Sequence, residues 1–192
     1  GGESWELSSV AGDVSVVANG TLKGTSLTEL LARFKGELMG QKIYERVGDT
    51  FPLLIKFIDA NDDLSVQVHP DDAMAKSRHN SFGKTEMWYV MAADKGAKLI
   101  SGFSKIIDKS EYKPLLSQGK FLDVLAQHVV KPGDVLFMPA GRIHAIGRGV
   151  LVAEIQQTSD VTYRVYDYDR RDDAGKTRDL HVEEALDAIH FN

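Results

Sequence analysis

A stretch of alternating residues, 64–70 (LSVQVHP), carries three polar side chains that could bind a ligand together. Ser65, Gln67 and His69 occupy every second position, with aliphatic residues between them. A period of two predicts a β-strand with two different faces, so these three side chains share one face. The apolar segment 51–55 (FPLLI) just upstream places this strand near a core, where polar groups without partners cost free energy. The pattern therefore predicts that these polar groups bind something.

Two further stretches carry polar side chains that could bind the same ligand. In residues 83–91 (GKTEMWYVM), Lys84 and Glu86 fall on one face of a predicted strand. Residues 133–144 predict a strand, a tight turn and a second strand that brings His144 inward. Two imidazoles, one carboxylate and one amide oxygen suit a borderline divalent ion such as zinc. The candidate metal ligands are Gln67, His69, Glu86 and His144.

Composition narrows the choice of ligands and partners. The 192 residues can form one substantial core, and without cysteine only His, Asp, Glu and Gln remain as metal ligands. A net charge of −5 without a basic stripe argues against nucleic acid, and we find no window apolar enough for a membrane span. An anionic substrate would therefore need a few local cations. We expect a cytoplasmic location, and the oligomeric state is left open.

Most of the chain is predicted to form short strands. These cover residues 4–9, 14–18, 51–58, 64–69, 83–91, 97–103, 128–130, 134–138, 143–146, 150–157 and 161–168. Peripheral helices are expected at about 24–40, 70–78, 109–127 and 181–190. Close turn spacing predicts a mainly β fold, a sandwich or small barrel with helices outside it. With no linker or repeat, residues 1–192 are expected to form a single domain.

The motifs around the candidate ligands resemble those of the cupin superfamily. Residues 133–144 are similar to the second cupin motif, although Arg148 stands where many cupins have Asn. Gln67 and His69 resemble the first motif with its first His replaced by Gln, and Glu86 lies further along than the usual glutamate. This resemblance implies a cupin-type jelly roll, a double-stranded β-helix.

A closer resemblance extends from about Glu3 to about His190. Four segments, in the same order, are similar to the type I mannose-6-phosphate isomerases, specifically the short bacterial form: LSVQVHPDD, GKTEMWYV, KPGDVLFMPAGRIHAI and EIQQTSDVTYRVYDYDR. That family usually begins with another segment and ends with a further β domain. Neither is visible in this sequence, so we expect a trimmed or partial form.

The family resemblance implies a reversible conversion of mannose 6-phosphate to fructose 6-phosphate through an enediol, with one zinc ion required. By motif position the four candidate ligands are the zinc ligands. Ser65, Lys84 and Arg164 fall where the family handles phosphate and the adjacent sugar, and Glu154 and Asp160 are acidic positions lining the same pocket. Glu154 is the favoured base or proton carrier, with Asp160 or a zinc-bound hydroxide as alternatives. The expected partner is a small phosphosugar.

Two other functions fit parts of the pattern. Two His and one carboxylate are also the ligand set of non-haem iron oxygenases, and a cupin can bind sugar without catalysis. Trp5 and Trp88 are expected in the core, and residues 167–173 in a solvated loop. Packing or surface roles are expected for four other histidines, His79, His128, His181 and His190.

Overall fold

A computed structural model describes residues 2–191 as two five-stranded antiparallel sheets with helices around them. The first sheet has the order β1-β2-β9-β4-β7, and the second has the order β10-β3-β8-β5-β6. The strands are β1 (Gly2–Leu7), β2 (Leu53–Ala60), β3 (Val66–Val68), β4 (Glu86–Ala93), β5 (Lys98–Phe103), β6 (Leu125–Val129), β7 (Val135–Met138), β8 (His144–Ile146), β9 (Val150–Gln157) and β10 (Tyr163–Tyr166). The helices are α1 (Leu27–Phe34), α2 (Gly36–Met39), α3 (Gln41–Val47), α4 (Asp72–His79), α5 (Tyr112–Ser117) and α6 (Val182–Ala188). The predicted mainly β, cupin-type fold is confirmed.

The second sheet is covered on both faces around β3, β8 and β10. On its outer face, Val66 and Val68 of β3 and Tyr163 of β10 pack in one apolar cluster with Tyr112 of α5 and Ala185 of α6. Because side chains alternate along a strand, the residues between these apolar positions point the other way, toward the first sheet. The helices thus fix which face of β3 carries the polar row.

A second apolar cluster fills part of the space between the two sheets. Ile58, Trp88 and Val90 of the first sheet meet Leu99 and Ile146 of the second in this cluster. Burial of apolar area of this kind is the main stabilising contribution in a fold of two packed layers. The polar side chains facing inward therefore lie beside an apolar core.

Several predicted elements have the expected bounds. Strand β9 covers residues 150–157 as predicted, and α1 begins after Ser26, whose hydroxyl accepts from the backbone of Glu29 in a capping box. Helix α4 is capped by Asp71, which accepts from Met74 N at 2.8 Å. Local capping and alternation identify these elements because the signals lie within the segments themselves.

Other predicted elements were wrong. Residues 14–18 form no strand, because Ser15 N bonds to Ser8 O and Val17 N to Thr25 O, so no single partner strand runs alongside. The helix expected over 24–40 is interrupted at Lys35, which has a φ of 46°, and α3 follows it unpredicted. The one or two short helices expected over 109–127 are present as α5 between two short 3₁₀ turns, and only the last residues were wrong, because β6 begins at Leu125. None of the helices within residues 2–191 is long and apolar enough to cross a membrane.

Gly147 follows β8 where that strand lies against β5, and its N–H donates to Lys98 O at 3.0 Å. A Cβ at this position would overlap the Lys98 carbonyl oxygen. We expect Gly147→Ala to lower the free energy of unfolding by about 1–3 kcal/mol, since one of the two strands must shift. Urea denaturation checks this, with Gly2→Ala as the control because a Cβ there meets nothing within 4 Å. Equal midpoints for the two variants would contradict the close approach.

Candidate metal centre and adjoining cavity

Both sheets contribute side chains to one buried polar cluster. Gln67 of β3 pairs directly with His144 of β8, and His69 lies just beyond the end of β3. Glu86 is the first residue of β4 in the facing sheet. His69, Glu86 and His144 are each at most 2% exposed, and their nearest ligand atoms all lie within 4.8 Å of one another. The structure therefore brings His69, Glu86 and His144 together and places Gln67 directly opposite His144.

The hydrogen bonds of the two imidazole rings fix how they face the carboxylate. His69 Nδ1 lies 3.0 Å from Val161 O, and His144 Nδ1 lies 2.8 Å from Arg142 O. A carbonyl oxygen only accepts, so each Nδ1 carries a hydrogen and each neutral ring has its lone pair on Nε2. His69 Nε2 is 3.1 Å from one oxygen of Glu86, and His144 Nε2 is 3.6 Å from the other.

The charges in this cluster favour a bound cation. Burial lowers the pKa of His69 to about 3 and also lowers the pKa of His144, so both rings are neutral at pH 7. Burial works to raise the pKa of Glu86, but the charge that His69 carries when it is protonated in acid and the charge of the Lys84 ammonium outweigh it, so that pKa lies well below its usual value. An ionised carboxylate thus faces two nitrogen lone pairs.

None of these four acceptor atoms has a hydrogen-bond partner among residues 2–191: His69 Nε2, His144 Nε2 and both carboxylate oxygens of Glu86. The Lys84 ammonium, 3.4 Å from Glu86 Oε1, offsets charge without forming a hydrogen bond. Buried acceptors without donors cost free energy, and a divalent cation between them would remove that cost. The three residues therefore fit a metal ion. The Gln67 side chain accepts from Ser65 Oγ at 3.3 Å, and its role as a fourth ligand stays a prediction.

A carboxyl group that titrates near neutral pH lies beside this cluster. Glu154 of β9 faces Trp88 of β4 and Lys56 of β2 in the sheet register. The Trp88 indole donates to Glu154 Oε2 at 2.8 Å, and Lys56 Nζ lies 3.5 Å from Oε1. Burial, followed by the charge of Glu86, raises the pKa of Glu154 to about 7. Such a group can both accept and give a proton at neutral pH.

Lys56 was missed from the sequence, although a signal was present. It occupies a buried position of β2, on the same face as Leu54 and Ile58. A lysine on the buried, apolar face of a strand needs a charged or polar partner. Here Lys56 contacts Glu154, and it also lies 3.3 Å from Glu3. Trp88 is buried as predicted, but it also binds Glu154.

A cavity of about 410 Å³ opens beside Glu154 and His144. It is lined by the predicted substrate residues Ser65, Asp160 and Arg164, and by Gln67. Lys84, which we expected beside a phosphate, is not among the lining residues of this cavity. Its side chain is buried, and its ammonium lies 3.4 Å from Glu86 Oε1, so its role beside a phosphate stays a prediction.

The far end of the cavity is cationic. Arg164 donates to Asp179 O at 3.0 Å, and Arg178 also lines this cavity. Burial, and then the charge of Arg178, lowers the pKa of Arg164. Asp167, expected in a solvated loop, is 6% exposed, so that expectation was wrong for this residue.

The remaining histidines lie outside the cluster. His79 Nε2 lies 2.7 Å from the Tyr163 hydroxyl, and His181 Nδ1 accepts from Arg164 N at 3.1 Å. His128 and His190 are exposed. These placements fit the packing and surface roles expected for them.

Two facing antiparallel sheets with a candidate metal centre between them define a cupin-type protein. The family model described as phosphomannose isomerase type I, catalytic domain, matches residues 1–100. The chain belongs to this family of type I phosphomannose isomerases.

Individual relatives agree with this assignment. Over 188 residues the chain is 46% identical to a mannose-6-phosphate isomerase of Streptococcus mutans, covering 98% of this chain and 58% of that protein. The solved mannose 6-phosphate isomerase of Bacillus subtilis superposes with a TM-score of 0.87 at 40% identity, covering 98% of this chain and 59% of that one. A mannose 6-phosphate isomerase solved with zinc and yttrium shares the fold, with a TM-score of 0.65 at 15% identity over 88% of this chain and 61% of its own. This chain thus spans under two thirds of these relatives' lengths.

Metal binding by the cluster should raise the melting temperature of the protein. We expect zinc at about 100 times its dissociation constant to stabilise the metal-free protein by about 2.7 kcal/mol, a rise in melting temperature of about 5–10 °C. His144→Ala should abolish the rise because it removes one of the converging lone pairs. His128→Ala, which alters an exposed histidine of β6, should retain it. Differential scanning calorimetry with and without zinc measures all three proteins, and an equal rise in His144→Ala would contradict the assignment.

Proposed function

We propose that this chain interconverts mannose 6-phosphate and fructose 6-phosphate, using one zinc ion held by Gln67, His69, Glu86 and His144. The observation that carries the proposal is the position of Glu154, a carboxyl with a pKa of about 7 beside a buried His–Glu–His cluster and open to a cavity. The names of the relatives, and the zinc in one of them, support the same reaction and metal. A cytoplasmic location belongs to this proposal.

The reaction moves a proton between two neighbouring carbon atoms. Glu154 removes the proton from C2 of the open-chain aldose and returns it to C1, while a hydroxyl proton moves from O2 to O1, so that the enediol is formed and then consumed. Bound zinc would polarise the carbonyl or adjacent hydroxyl and so stabilise the negative charge that develops on oxygen. The same carboxyl gives and takes the proton, which requires a pKa near the working pH.

The residues around Glu154 hold it in place and set its basicity. The Trp88 N–H and the Lys56 ammonium each contact one of its oxygens, so the carboxyl cannot rotate freely. Among the cavity-lining residues, Ser65 and Asp160 would bind sugar hydroxyl groups and Arg164 the phosphate or sugar oxygens. Lys84 would act through Glu86 by keeping that carboxylate ionised.

The oxygenase alternative would use the same three metal ligands. It assigns no task to a carboxyl that titrates near pH 7 or to the arginines at the far end of the cavity. A non-catalytic sugar-binding role likewise leaves Glu154 without a task. The isomerase reaction uses all of these features, and it is therefore the function that the geometry favours.

Glu154→Gln should lower kcat by about 10²- to 10⁴-fold, since the amide cannot accept the carbon-bound proton. Metal content should be unchanged, because Glu154 is not one of the proposed ligands. Glu3→Gln is the matched control, as Glu3 contacts the same Lys56 but is exposed. A coupled assay of fructose 6-phosphate formation, with and without chelator, measures both variants. Full activity in Glu154→Gln, or oxygen uptake with bound iron in place of isomerisation, would contradict the proposal.

The rate should fall as the pH is lowered through the pKa of Glu154, because this carboxyl must be ionised to act as a base, and burial keeps that pKa above its usual value. The substrate phosphate also ionises near pH 6, so a variant is needed to separate the two groups. Trp88→Phe removes a hydrogen bond that lowers the pKa of Glu154, and it should move the acid limb of kcat/KM to higher pH. An acid limb that stays in place in this variant would show that another group is responsible.

A further inference from the structure

The cationic end of the cavity contains two arginines, Arg164 and Arg178, that line both this cavity and an adjoining one of about 690 Å³. The chain as a whole has a net charge of −5, so an anion gains nothing from the overall charge. Any attraction for an anionic group must come from local cations such as these.

Arg178 is held in one orientation by a buried carboxylate. Its Nε donates to Asp167 Oδ2 at 2.9 Å and one terminal nitrogen donates to Oδ1 at 2.7 Å, a bidentate pair. Arg170 donates to the same Oδ1 at 2.7 Å. One carboxylate shared by two guanidinium groups leaves one positive charge uncompensated. The bidentate pair also leaves the other terminal nitrogen of Arg178 for a ligand.

The loop that presents Asp167 is conformationally strained. Tyr168 and Asp169 are consecutive non-glycine residues with φ of 58° and 53°, a left-handed conformation that costs free energy. Arg170 stabilises this turn: it donates to the carbonyl oxygens of Asp167 and Asp63, and its guanidinium lies 5.3 Å from the centre of the Tyr168 ring. The strained turn thus directly follows Asp167, the residue that orients Arg178.

The strand register sets the distance between the cationic end of the cavity and the metal cluster. Arg164 of β10 lies opposite Gln67 of β3, which in turn lies opposite His144 of β8. Two strand spacings put the backbones of Arg164 and His144 about 10 Å apart. A sugar whose C1–C2 end lies at the metal cluster would therefore extend its far end toward the arginines.

The two arginines suit a phosphate group in particular. Arg164 Nε is buried and has no hydrogen-bond partner within residues 2–191. Its guanidinium is close enough to that of Arg178 for the like charges to repel. A phosphate dianion between them would relieve the repulsion and would supply acceptors for Arg164 Nε and for the remaining terminal nitrogen of Arg178.

We propose that Arg178 is a specificity-determining residue that binds the substrate phosphate together with Arg164, and that Asp167 is its positioning residue. This inference rests on the proposed isomerase function, and it assigns the phosphate contact to the arginines rather than to Lys84.

Kinetics of the zinc-loaded protein test the contact. Arg178→Gln should raise KM for mannose 6-phosphate by about 10- to 100-fold, with kcat within about 3-fold of wild type, because the phosphate contact is the same in ground and transition states. The variant should fold, as Asp167 keeps its bond to Arg170. Arg171→Gln is the control for charge, since Arg171 lines only the adjoining cavity, and it should leave both constants unchanged. An unchanged KM in Arg178→Gln would overturn the proposal.

The role of Asp167 is tested by a double-mutant cycle. Asp167→Asn alone should raise KM by about 3- to 10-fold, but it should add nothing in the Arg178→Gln background, because it acts through Arg178. A purely structural role would lower activity equally in both backgrounds, and that result would overturn the positioning role.

Binding of inorganic phosphate separates this inference from the proposed function, because it requires no turnover. Calorimetry on the zinc-loaded protein should show phosphate binding that Arg178→Gln weakens by about 10-fold or more and Arg171→Gln does not. This result would support the subsite even if isomerase activity were absent. Equal affinity in wild type and Arg178→Gln, or no binding to wild type, would overturn the subsite even if isomerase activity were present.

Discussion

The contact on which the site depends is the approach of two imidazole lone pairs to one ionised carboxylate in the buried space between the sheets. Backbone carbonyls hold the Nδ1 side of His69 and His144, so neither ring can turn its lone pair away from Glu86. Buried acceptors that face one another without a donor are costly, and a cation bound by all of them would remove that cost. The backbone contacts at Nδ1 thus orient both rings so that their Nε2 atoms face Glu86, as a metal site requires.

The helices and the strand pairing place the other site residues around this contact. Helices α5 and α6 cover the outer face of the second sheet, so the aliphatic residues of β3 point outward and its polar residues point inward. Pairing of β2 and β4 with β9 then places Lys56 and Trp88 on either side of Glu154. Three tasks follow one another along the cavity: metal binding at one end, proton transfer beside it, and recognition of an anion at the other end. The last two rest on the proposed function.

Much of this could be read from the sequence, because the signals are local. Alternation identified the polar face of β3 and the bounds of β9, and motif spacing identified His69, Glu86 and His144 before any of them could be seen to meet. Lys56 and Arg178 were not identified, since their roles arise from strand pairing and from a side-chain contact with Asp167. Residues 14–18 alternate like a strand but lack a partner strand, which alternation alone does not reveal. Lys84 was assigned to the correct strand region, but which way its ammonium points depends on tertiary packing.

Anomalous diffraction at the zinc edge, from crystals of the zinc-loaded protein, would locate the ion directly. We expect one strong peak between the sheets, about 2.0–2.2 Å from His69 Nε2, His144 Nε2 and a carboxylate oxygen of Glu86. The electron density there would also show whether the Gln67 oxygen is the fourth protein ligand. A zinc peak elsewhere with none between the sheets, or Nε2 atoms turned away from a shared ion, would contradict the claim.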